Sequence, residues 1–313
     1  MKSHTYKCTS GVPQGGNLAP LLFLLYVNDI PKLLKHSKCL LFGDDLNIFK
    51  NIKTTVDTQN LLLDLRTVVN WSKNNNLPLN AEKCKVISFT RNKKHIQSTY
   101  DTEEEQLERV KEVRDLGVVM ESGLNYSQHL QRTVMKAKRN AGLVKRFSNT
   151  FKGPSVLRLL YLTLVRPHLE FANIIWGFLT KAEESALEVI QKRFLKFLYY
   201  KNFTYYDHSI TYPELASGYE INTLQMRRDL YAIRLLYNLI RGQIDSPGLL
   251  FEITIYVPPR IGRPKGLFSI PRARTNTLTK SPLVRNMKLY NKLIEINSEI
   301  DIFFDPKHKF EKK

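Results

Sequence analysis

The pattern of hydrophobic and polar positions changes near residue 125. Before it, short apolar runs alternate with turn-forming residues, and a long helical period occurs only at residues 58–74. After it, helical spacing dominates, and the sequence predicts helices at residues 128–147, 155–165, 182–200, 223–241 and 283–299. These elements predict an α+β, helix-dominated fold with a domain boundary near residue 125.

The first part of the chain contains two features that predict local structure. Residues 11–16 form a glycine-punctuated turn before residues 18–26, whose apolar side chains surround a helix almost completely, so we expect this helix in a core. Apolar runs at residues 39–42 and 46–49 flank Gly43-Asp44-Asp45, which predicts a tight hairpin with two acids at its tip.

Weaker patterns surround these features. Asp57 and Thr58 are N-cap candidates for the helix at residues 58–74. Residues 85–90 and 116–120 are short strand candidates, and the acidic stretch at residues 103–105 between them should be a surface excursion. The Pro-, Gly- and Arg-rich stretch at residues 256–280 predicts an irregular basic connection before the last helix.

Composition narrows the class of partner. The chain of 313 residues has 48 Lys and Arg against 29 Asp and Glu, a formal net charge of +19, which favours a polyanionic partner. Nucleic acid is favoured over a membrane because the basic residues are spread over many segments, although a merely basic, soluble surface remains an alternative. Cys8, Cys39 and Cys84 form no disulfide or zinc pattern.

No apolar run is long enough to span a bilayer, and the first ten residues lack the apolar core of a secretory signal. We therefore expect a nuclear or cytoplasmic protein that is neither secreted nor a membrane protein.

Asp44 and Asp45 are the residues most suited to chemistry. At a hairpin tip the two carboxylates can converge on Mg²⁺, a hard cation that accepts few carboxylates and completes its shell with water and phosphate oxygens. Taken alone, the pair is weak evidence for a metal site and favours a solvated β-turn, because Asp and Gly are common turn residues.

The order of motifs resolves this ambiguity. Six motifs follow one another in this chain: Gly11-Val12-Pro13-Gln14-Gly15, the Phe42-Gly43-Asp44-Asp45 hairpin, Asn80 with Lys83, Asp115-Leu116-Gly117, residues 164–170 (Leu-Val-Arg-Pro-His-Leu-Glu) with Trp176, and residues 190–194 (Ile-Gln-Lys-Arg-Phe). Their order strongly resembles that of the reverse transcriptases of non-long-terminal-repeat, LINE-like retrotransposons.

The resemblance implies a domain organisation and a function. Residues 1–125 would be a partial reverse transcriptase palm, a hairpin plus helices from the Gly-Val-Pro-Gln-Gly turn onward. Residues 126–255 would be an all-α thumb with the helical region that follows it, and residues 256–313 a basic Pro/Gly-rich connection with a C-terminal helix. The implied activity is RNA-directed DNA polymerase, a nucleotidyltransferase that uses Mg²⁺ in a two-metal site, with an RNA template and a DNA primer as partners.

The resemblance also assigns roles to individual residues. Asp44 and Asp45 match the metal-binding acids, and Lys83 matches a lysine suspected of assisting pyrophosphate departure, although a phosphate-facing surface lysine is an alternative. Leu116 and Gly117 match the turn that grips the primer terminus, where a plain structural turn is the alternative. The contacts to template and nucleotide would come from Gly11, Pro13, Gln14 and Gly15.

One predicted helix carries repeated basic residues, as a thumb helix against a nucleic-acid backbone requires; a solvated basic face is the alternative. These residues are Lys136, Lys138, Arg139, Lys145 and Arg146. His168 and Trp176 lie on apolar helical patterns and should serve packing.

Two departures from the family pattern shape the functional expectation. The palm needs a further Asp from a strand before Gly11, but residues 1–10 contain no acid, so we expect the two-metal site to be incomplete and the chain alone to have little or no polymerase activity. The alternative function is a non-catalytic nucleic-acid-binding remnant that uses the basic thumb. Gly43 replaces the usual Ala, which should loosen the turn slightly.

Overall fold

A computed structural model describes residues 11–12, 15–90, 92, 95–102, 105–257, 266–272, 276–279 and 281–310. The chain divides into two compact units, residues 1–113 and 114–313, whereas the sequence predicted a boundary near residue 125. The boundary lies earlier because the strand that starts at Val118 shares a core with the first long helix after it: Val118 is buried in one cluster with Leu130.

The described residues of the first unit form three helices and four complete strands, and a fifth strand crosses into the second unit. Two helices precede a hairpin, and the third helix and a 3₁₀ turn follow it. Their bounds are α1 Ala19–Val27, α2 Ile30–Leu33, β1 Lys38–Phe42, β2 Asp45–Phe49, α3 Thr55–Asn74, the 3₁₀ turn Ala81–Lys83, β3 Lys85–Ile87, β4 Glu108–Val110 and β5 Glu112–Asp115.

The core of the first unit is small. Val27, Ile30, Val68 and Trp71 are buried together, and one face of the β1–β2 hairpin packs against them. Helix α1 forms as predicted, but its burial in a core does not: the described side chains of Leu21, Leu22, Leu24, Leu25 and Tyr26 are 48–65% exposed, and Val27 is the buried one. Among the described residues, the α1 side chains Phe23 and Val27 pack on this core.

Polar contacts fix α3 against the segment that leads into β1. Burial acts to raise the pKa of the Asp64 carboxyl, but hydrogen bonds donated by the amides of Lys35 (3.1 Å) and His36 (2.9 Å), with those from Ser37, lower it overall. Since Asp64 is 2% exposed, this ionised carboxylate holds the start of the hairpin in place.

The N-cap of α3 differs from the prediction. The cap is Thr54, and Asp57 is the third helical residue, whose carboxylate accepts hydrogen bonds from the Thr54 amide (2.9 Å) and the Lys53 amide (3.0 Å). Thr54 and Asp57 form a capping box, in which each side chain accepts a hydrogen bond from the backbone amide of the other residue. Thr54 is therefore the N-cap instead of the predicted Asp57 or Thr58.

Strands β3 and β4 form a parallel pair, with Val86 opposite Arg109. The predicted strand at residues 85–90 ends at Ile87, and β4 and β5 were not predicted because their sequences are largely charged. Of the predicted acidic excursion, Glu103 and Glu104 lie outside the described residues.

The second unit is helical apart from its first hairpin. Strand β6 replaces the predicted strand at residues 116–120, whose first two residues form the turn before it. The bounds are β6 Val118–Glu121, α4 Ser127–Phe147, α5 Pro154–Leu164, α6 Arg166–Glu170, α7 Asn173–Trp176, α8 Lys181–Phe203, α9 Tyr212–Gly218, α10 Leu224–Ile240, α11 Pro247–Phe251, α12 Asn276–Thr279, α13 Pro282–Ile296 and a 3₁₀ turn Lys307–Phe310.

Helices α4, α5 and α8 form the main core of this unit, and all five long helices predicted from the sequence are present. Gln191 of α8 is fully buried and satisfied: its amide oxygen accepts from the Tyr161 hydroxyl (3.0 Å), and its amide nitrogen donates to the Tyr212 hydroxyl (2.8 Å) and the Asn222 carbonyl (3.0 Å). A buried polar group with all partners in place fixes how three segments pack.

A second core lies between α10 and α13, around Leu236, Met287 and Tyr290. The Asn291 side chain donates to the Phe268 carbonyl (2.8 Å) and accepts from the Phe268 amide (2.9 Å). These two hydrogen bonds hold the segment around Phe268 against α13. Within the predicted irregular stretch at residues 256–280, α12 is a single helical turn, and residues 258–265 lie outside the described part. No helix among the described residues has the length and apolarity needed to cross a membrane.

Candidate metal and nucleic-acid sites

The predicted hairpin with acids at its tip is confirmed. Phe42 pairs with Asp45, which leaves Gly43 and Asp44 as the two residues of the turn. Gly43 has φ +59° while Asp44 has a negative φ, the sign pattern of a type II′ turn with Gly in its first position. Glycine is therefore the favoured residue here, and the expectation of a looser turn is wrong, because Ala would have to adopt a left-handed conformation.

Asp44 and Asp45 are both exposed, and neither side chain makes a hydrogen bond or ion pair with another described residue. The opposite face of the hairpin is anchored, since Leu41, Leu46 and Ile48 pack on the core. The tip thus presents two adjacent carboxylates on a fixed support.

The donor set at the tip fits one hard cation. The described residues contain no group of three or more acidic, His or Cys side chains arranged to hold a metal. Mg²⁺ commonly takes one or two protein carboxylates and completes its octahedron with water and phosphate oxygens. Asp44 and Asp45 fit that requirement, whereas a two-metal centre would need a ligand from outside the described residues.

The other residues assigned to the first unit lie in different places. Lys83 ends an exposed 3₁₀ turn, where its amide donates to Asn80 Oδ1 (3.2 Å); its side chain has no hydrogen-bond or ion-pair partner among the described residues. Gly11 and Gly15 have φ values of +84° and +82°, so both need glycine, as the turn prediction implied. Pro13 and Gln14 lie outside the described residues.

Leu116 and Gly117 form the turn between β5 and β6. Both have positive φ, +43° and +85°, the pattern of a type I′ turn. A Cβ on Gly117 would lie 3.0 Å from the Phe171 ring, so the turn is packed under an aromatic side chain. Leu116 is 48% exposed and strained, because a bulky residue in the left-handed region costs about 1–2 kcal/mol. Strain of this kind is concentrated at functional turns.

Helix α4 bears the basic residues on its solvent side. Lys136, Lys138, Arg139, Lys145 and Arg146 are all exposed, while Ala137, Ala141 and Val144 on the opposite side are buried. Sequence reasoning missed one member of this set. Arg132 is also exposed, and with Arg139 and Arg146 it forms a row at seven-residue spacing, about 21 Å long at 1.5 Å per residue.

The histidine at the start of α4 connects this helix to β6. His129 is buried, and its Nδ1 accepts a hydrogen bond from the Val119 amide (3.2 Å), so this nitrogen carries no proton. Burial lowers the pKa of His129, and the positive charges of Arg132, Lys136 and Arg114 lower it further.

An ion pair not expected from the sequence connects α6 to α10. Glu170 and Arg227 form a two-pronged pair, with Arg227 Nη2 2.8 Å from Glu170 Oε2, and the Tyr231 hydroxyl donates to the same oxygen (3.3 Å). The hydrogen bonds to Glu170 raise the pKa of Arg227. Trp176 is buried and its Nε1 donates to the Phe171 carbonyl (2.8 Å), as the packing prediction requires, and His168 is partly buried.

The chain is similar to one known protein family and to several curated proteins. Residues 1–120 match the family described as reverse transcriptase (RNA-dependent DNA polymerase). The probable RNA-directed DNA polymerase from transposon X-element of Drosophila melanogaster is 24% identical over 200 residues, which cover 61% of this chain and 22% of that protein. That from transposon BS of the same organism is 24% identical over 199 residues, 60% of this chain and 22% of the relative.

The RNA-directed DNA polymerase from mobile element jockey of Drosophila melanogaster is 22% identical over 207 residues, which cover 62% of this chain and 22% of the relative. The chain thus spans about a fifth of the length of the curated relatives it matches. No solved structure matches it significantly. Residues 1–120 match the model of the reverse transcriptase family, and the resemblance of the chain to the enzymes of non-long-terminal-repeat retrotransposons is confirmed.

Proposed function

We propose that this chain provides the metal-binding hairpin and a nucleic-acid-binding helix of an RNA-directed DNA polymerase that copies an RNA template from a DNA primer. The observation that carries the proposal is the exposed Asp44–Asp45 pair at the tip of a hairpin anchored on the core, in a segment that matches the reverse transcriptase family. The relatives named as RNA-directed DNA polymerases support the same activity.

In this proposal the hairpin holds the phosphates through a shared cation. Asp44 and Asp45 would bind Mg²⁺, which supplies positive charge to the attacking and leaving oxygens of phosphoryl transfer. The turn places the two acids next to each other in the chain at the hairpin tip, and the backbone of β1 and β2 is held because their inward residues pack in the cluster that contains Val68 and Trp71. Preorganisation of this kind keeps the ligands in place before the nucleotide arrives.

Helix α4 would hold the nucleic acid through its backbone. Its exposed Arg and Lys side chains can contact phosphates in any sequence, as a polymerase that copies varied templates requires. The turn at Leu116 and Gly117 would contact the primer end, and Lys83 would assist departure of pyrophosphate. Gly11, Pro13, Gln14 and Gly15 would lie near the templating base.

Metal binding can be tested on the chain directly. Mn²⁺ binding followed by electron paramagnetic resonance should weaken at least tenfold in Asp44→Asn and in Asp45→Asn, because each variant removes one of two charged ligands. Asp245→Asn is a matched control, since Asp245 is an exposed acid of the second unit. Equal Mn²⁺ binding by all four proteins would overturn the proposed metal site.

Primer extension on an RNA template separates the two candidate functions. Extension that is lost in Asp44→Asn would establish polymerase activity for this chain alone. We expect little or none, since a two-metal centre needs more ligands than the two that the described hairpin provides. Metal binding and hybrid binding without extension fit the proposed partial enzyme, whereas tight hybrid binding without metal binding would favour the non-catalytic nucleic-acid-binding alternative, to which the exposed basic side of α4 also points. If the chain bound neither metal nor hybrid, the result would favour a basic scaffold protein with no nucleic-acid role.

A further inference from the structure

Aromatic side chains are gathered at the C-terminal end of α8. Tyr199, Phe203, Tyr205, Tyr206 and His208 form a continuous group, which we name the α8 aromatic surface. The Tyr199 ring is the centre: its centroid lies 4.7 Å from Phe203, 6.1 Å from Tyr205 and 5.6 Å from Tyr206, and the Tyr206 ring lies 5.2 Å from His208. No metal, hairpin or basic-helix role described above uses these residues.

The group has an anchored inner part and an exposed outer part. Tyr199 and Tyr206 pack against the main core of the second unit. Phe203 and Tyr205 remain 46% and 59% exposed, although they are the kind of side chain that folding usually buries. The outer rings are therefore held in fixed positions by the inner rings while their faces stay accessible to solvent.

Backbone strain helps to place the outer rings. Thr204 ends α8 with φ +64°, the left-handed region that a β-branched residue rarely adopts. This reversal brings Tyr205 and Tyr206 back to the Tyr199 ring instead of continuing the helix. Helices often end with a left-handed residue, but a β-branched residue is strained there, so the surrounding contacts must hold Thr204 in place.

One lysine borders the same surface: the Lys196 ammonium lies 4.7 Å from the centroid of the Tyr206 ring. The ammonium groups of Lys145 and Lys201 lie 5.4 and 5.9 Å from the Phe197 ring, which is two residues before Tyr199 and therefore on a different side of α8. Positive charge and exposed rings thus occur together at this end of α8.

One acid limits where an anion can bind. The amide and hydroxyl of Ser209 donate to Asp207 at 2.8 and 2.7 Å, and these hydrogen bonds lower the pKa of its carboxyl. An ionised Asp207 repels phosphates from the His208 end of the group. Phosphates are therefore directed toward Lys196.

We propose that the α8 aromatic surface is a stacking platform for unpaired nucleotides of single-stranded RNA or DNA, with Lys196 contacting the phosphates. Every base has an aromatic face, so rings beside a basic edge bind single strands with little sequence preference, and each stacked base contributes about 1–3 kcal/mol. A duplex keeps its bases stacked on one another and cannot use these rings. The surface deepens the proposed function because it names a single-stranded ligand distinct from the hybrid on α4, and it does not depend on the metal site.

The test compares single-stranded and duplex ligands on the full chain at one fixed salt concentration. Phe203→Leu and Tyr205→Leu remove a ring but keep an apolar side chain, and Tyr205→Phe keeps the ring. Fluorescence anisotropy would measure Kd for a labelled homopolymeric 12-nucleotide single strand and for an RNA–DNA hybrid of the same length. Phe304→Leu is the matched control, since Phe304 is an 83% exposed ring elsewhere in the second unit.

We expect Phe203→Leu and Tyr205→Leu to weaken single-strand binding by roughly five- to 150-fold, the range that corresponds to loss of one stacked base. Hybrid affinity should change less than twofold, and Tyr205→Phe and Phe304→Leu should bind like the parent. Equal losses on both ligands, or no loss on the single strand, would overturn the platform while leaving the metal and α4 proposals standing. Ring-dependent self-association in sedimentation, without ring-dependent single-strand binding, would instead identify the surface as a protein contact.

Discussion

The amide of Val119 donates a hydrogen bond to Nδ1 of His129 over 3.2 Å, and both residues are buried. This bond connects β6 to the first turn of the basic helix α4. Since the acceptor nitrogen must be unprotonated, the orientation of α4 on its core requires a neutral imidazole.

The stability of the second unit should therefore depend on pH. The pKa of His129 is lowered in the folded chain from its ordinary value of 6.5, so the unfolded chain binds the proton first as the pH falls. The free energy of unfolding should be constant above about pH 6.5 and decrease below it, by at most about 1.4 kcal/mol per pH unit for one proton. Urea titrations between pH 5 and 8 measure this, and His129→Gln should remove the dependence. A parent profile identical to that of the variant would contradict the assignment.

The two tryptophans provide one stability probe for each unit, because Trp71 lies in the first unit and Trp176 in the second. Labelling with 5-fluorotryptophan gives two ¹⁹F NMR resonances, whose loss in urea reports the unfolding of each unit separately. The predictions on stability below use this measurement.

Substitution of Ala for Gly should have opposite effects at Gly43 and Gly142. Neither position has an atom within 4 Å of an added Cβ, so only backbone conformation differs. Gly43→Ala should destabilise the first unit by about 1 kcal/mol, since φ is +59° there. Gly142→Ala should stabilise the second unit by about 1 kcal/mol, because Gly142 is in the interior of a helix. Effects of the same sign would show that the turn is not left-handed at Gly43.

Much of the local structure was predictable because its signals are local. Alternating apolar residues around Gly43 and Asp44 were sufficient for the hairpin, and helical periods were sufficient for the long helices. Contacts between distant residues gave no such signal: Glu170 and Arg227 are 57 positions apart, and the Val119–His129 bond joins a strand to a helix. Strand β4 was missed because Glu and Arg are poor strand indicators.

The candidate sites were predictable to a similar extent. The acids and most basic residues of α4 were identified from motifs, whereas Arg132 was missed although its seven-residue spacing from Arg139 was readable in the sequence. The α8 aromatic surface also has a sequence signal, four Tyr and one Phe within residues 199–206. Its exposure was not readable, because it depends on the left-handed Thr204.

Nucleic-acid binding by α4 should depend strongly on salt. Replacing Arg132, Arg139 and Arg146 together with Gln should weaken hybrid binding and reduce the slope of log K against log salt concentration by about 2 to 3, because each phosphate that an arginine neutralises adds about 0.7–0.9 to that slope. Anisotropy titrations between 50 and 300 mM salt measure the slope.

A charge-matched control distinguishes the effect of this arginine row on the salt dependence from the effect of lowering the net charge by three. Three exposed lysines elsewhere in the second unit can be replaced with Gln, namely Lys181, Lys288 and Lys307. If both triple variants show the same reduction in slope, the binding is diffuse and α4 has no special role.

The Glu170–Arg227 pair should act as a unit. Both side chains are less than 20% exposed, so Glu170→Gln leaves a buried positive charge and should cost about 3 kcal/mol of stability in the second unit. The double variant Glu170→Gln with Arg227→Gln should cost less than the single one, because the Arg227 charge is removed with its partner and only Arg166, 3.9 Å from Glu170, loses a counter-charge. Additive losses in this double-mutant cycle would show that the pair is not coupled.

Relief of the backbone strain at Leu116 should show whether the Leu116–Gly117 turn contributes to nucleic-acid binding or only to structure. Leu116→Asn should stabilise the second unit by about 1 kcal/mol, since Asn tolerates the left-handed region better than Leu. Hybrid affinity should fall in the same variant if this turn grips the primer, and remain unchanged if the turn is only structural. Gly117→Ala should destabilise the unit because of its φ of +85° and the Phe171 ring.

The exposed leucines of α1 have a consequence for the temperature dependence of the protein in solution. A helix with Leu21, Leu22 and Leu25 about half exposed or more attracts other apolar surfaces by releasing water, and this attraction weakens on cooling. Clusters that the chain forms through α1 should thus dissolve in the cold and return on warming, and added salt should not disperse them as it would complexes with nucleic acid. Light scattering recorded between 4 and 30 °C would follow this reversible clouding.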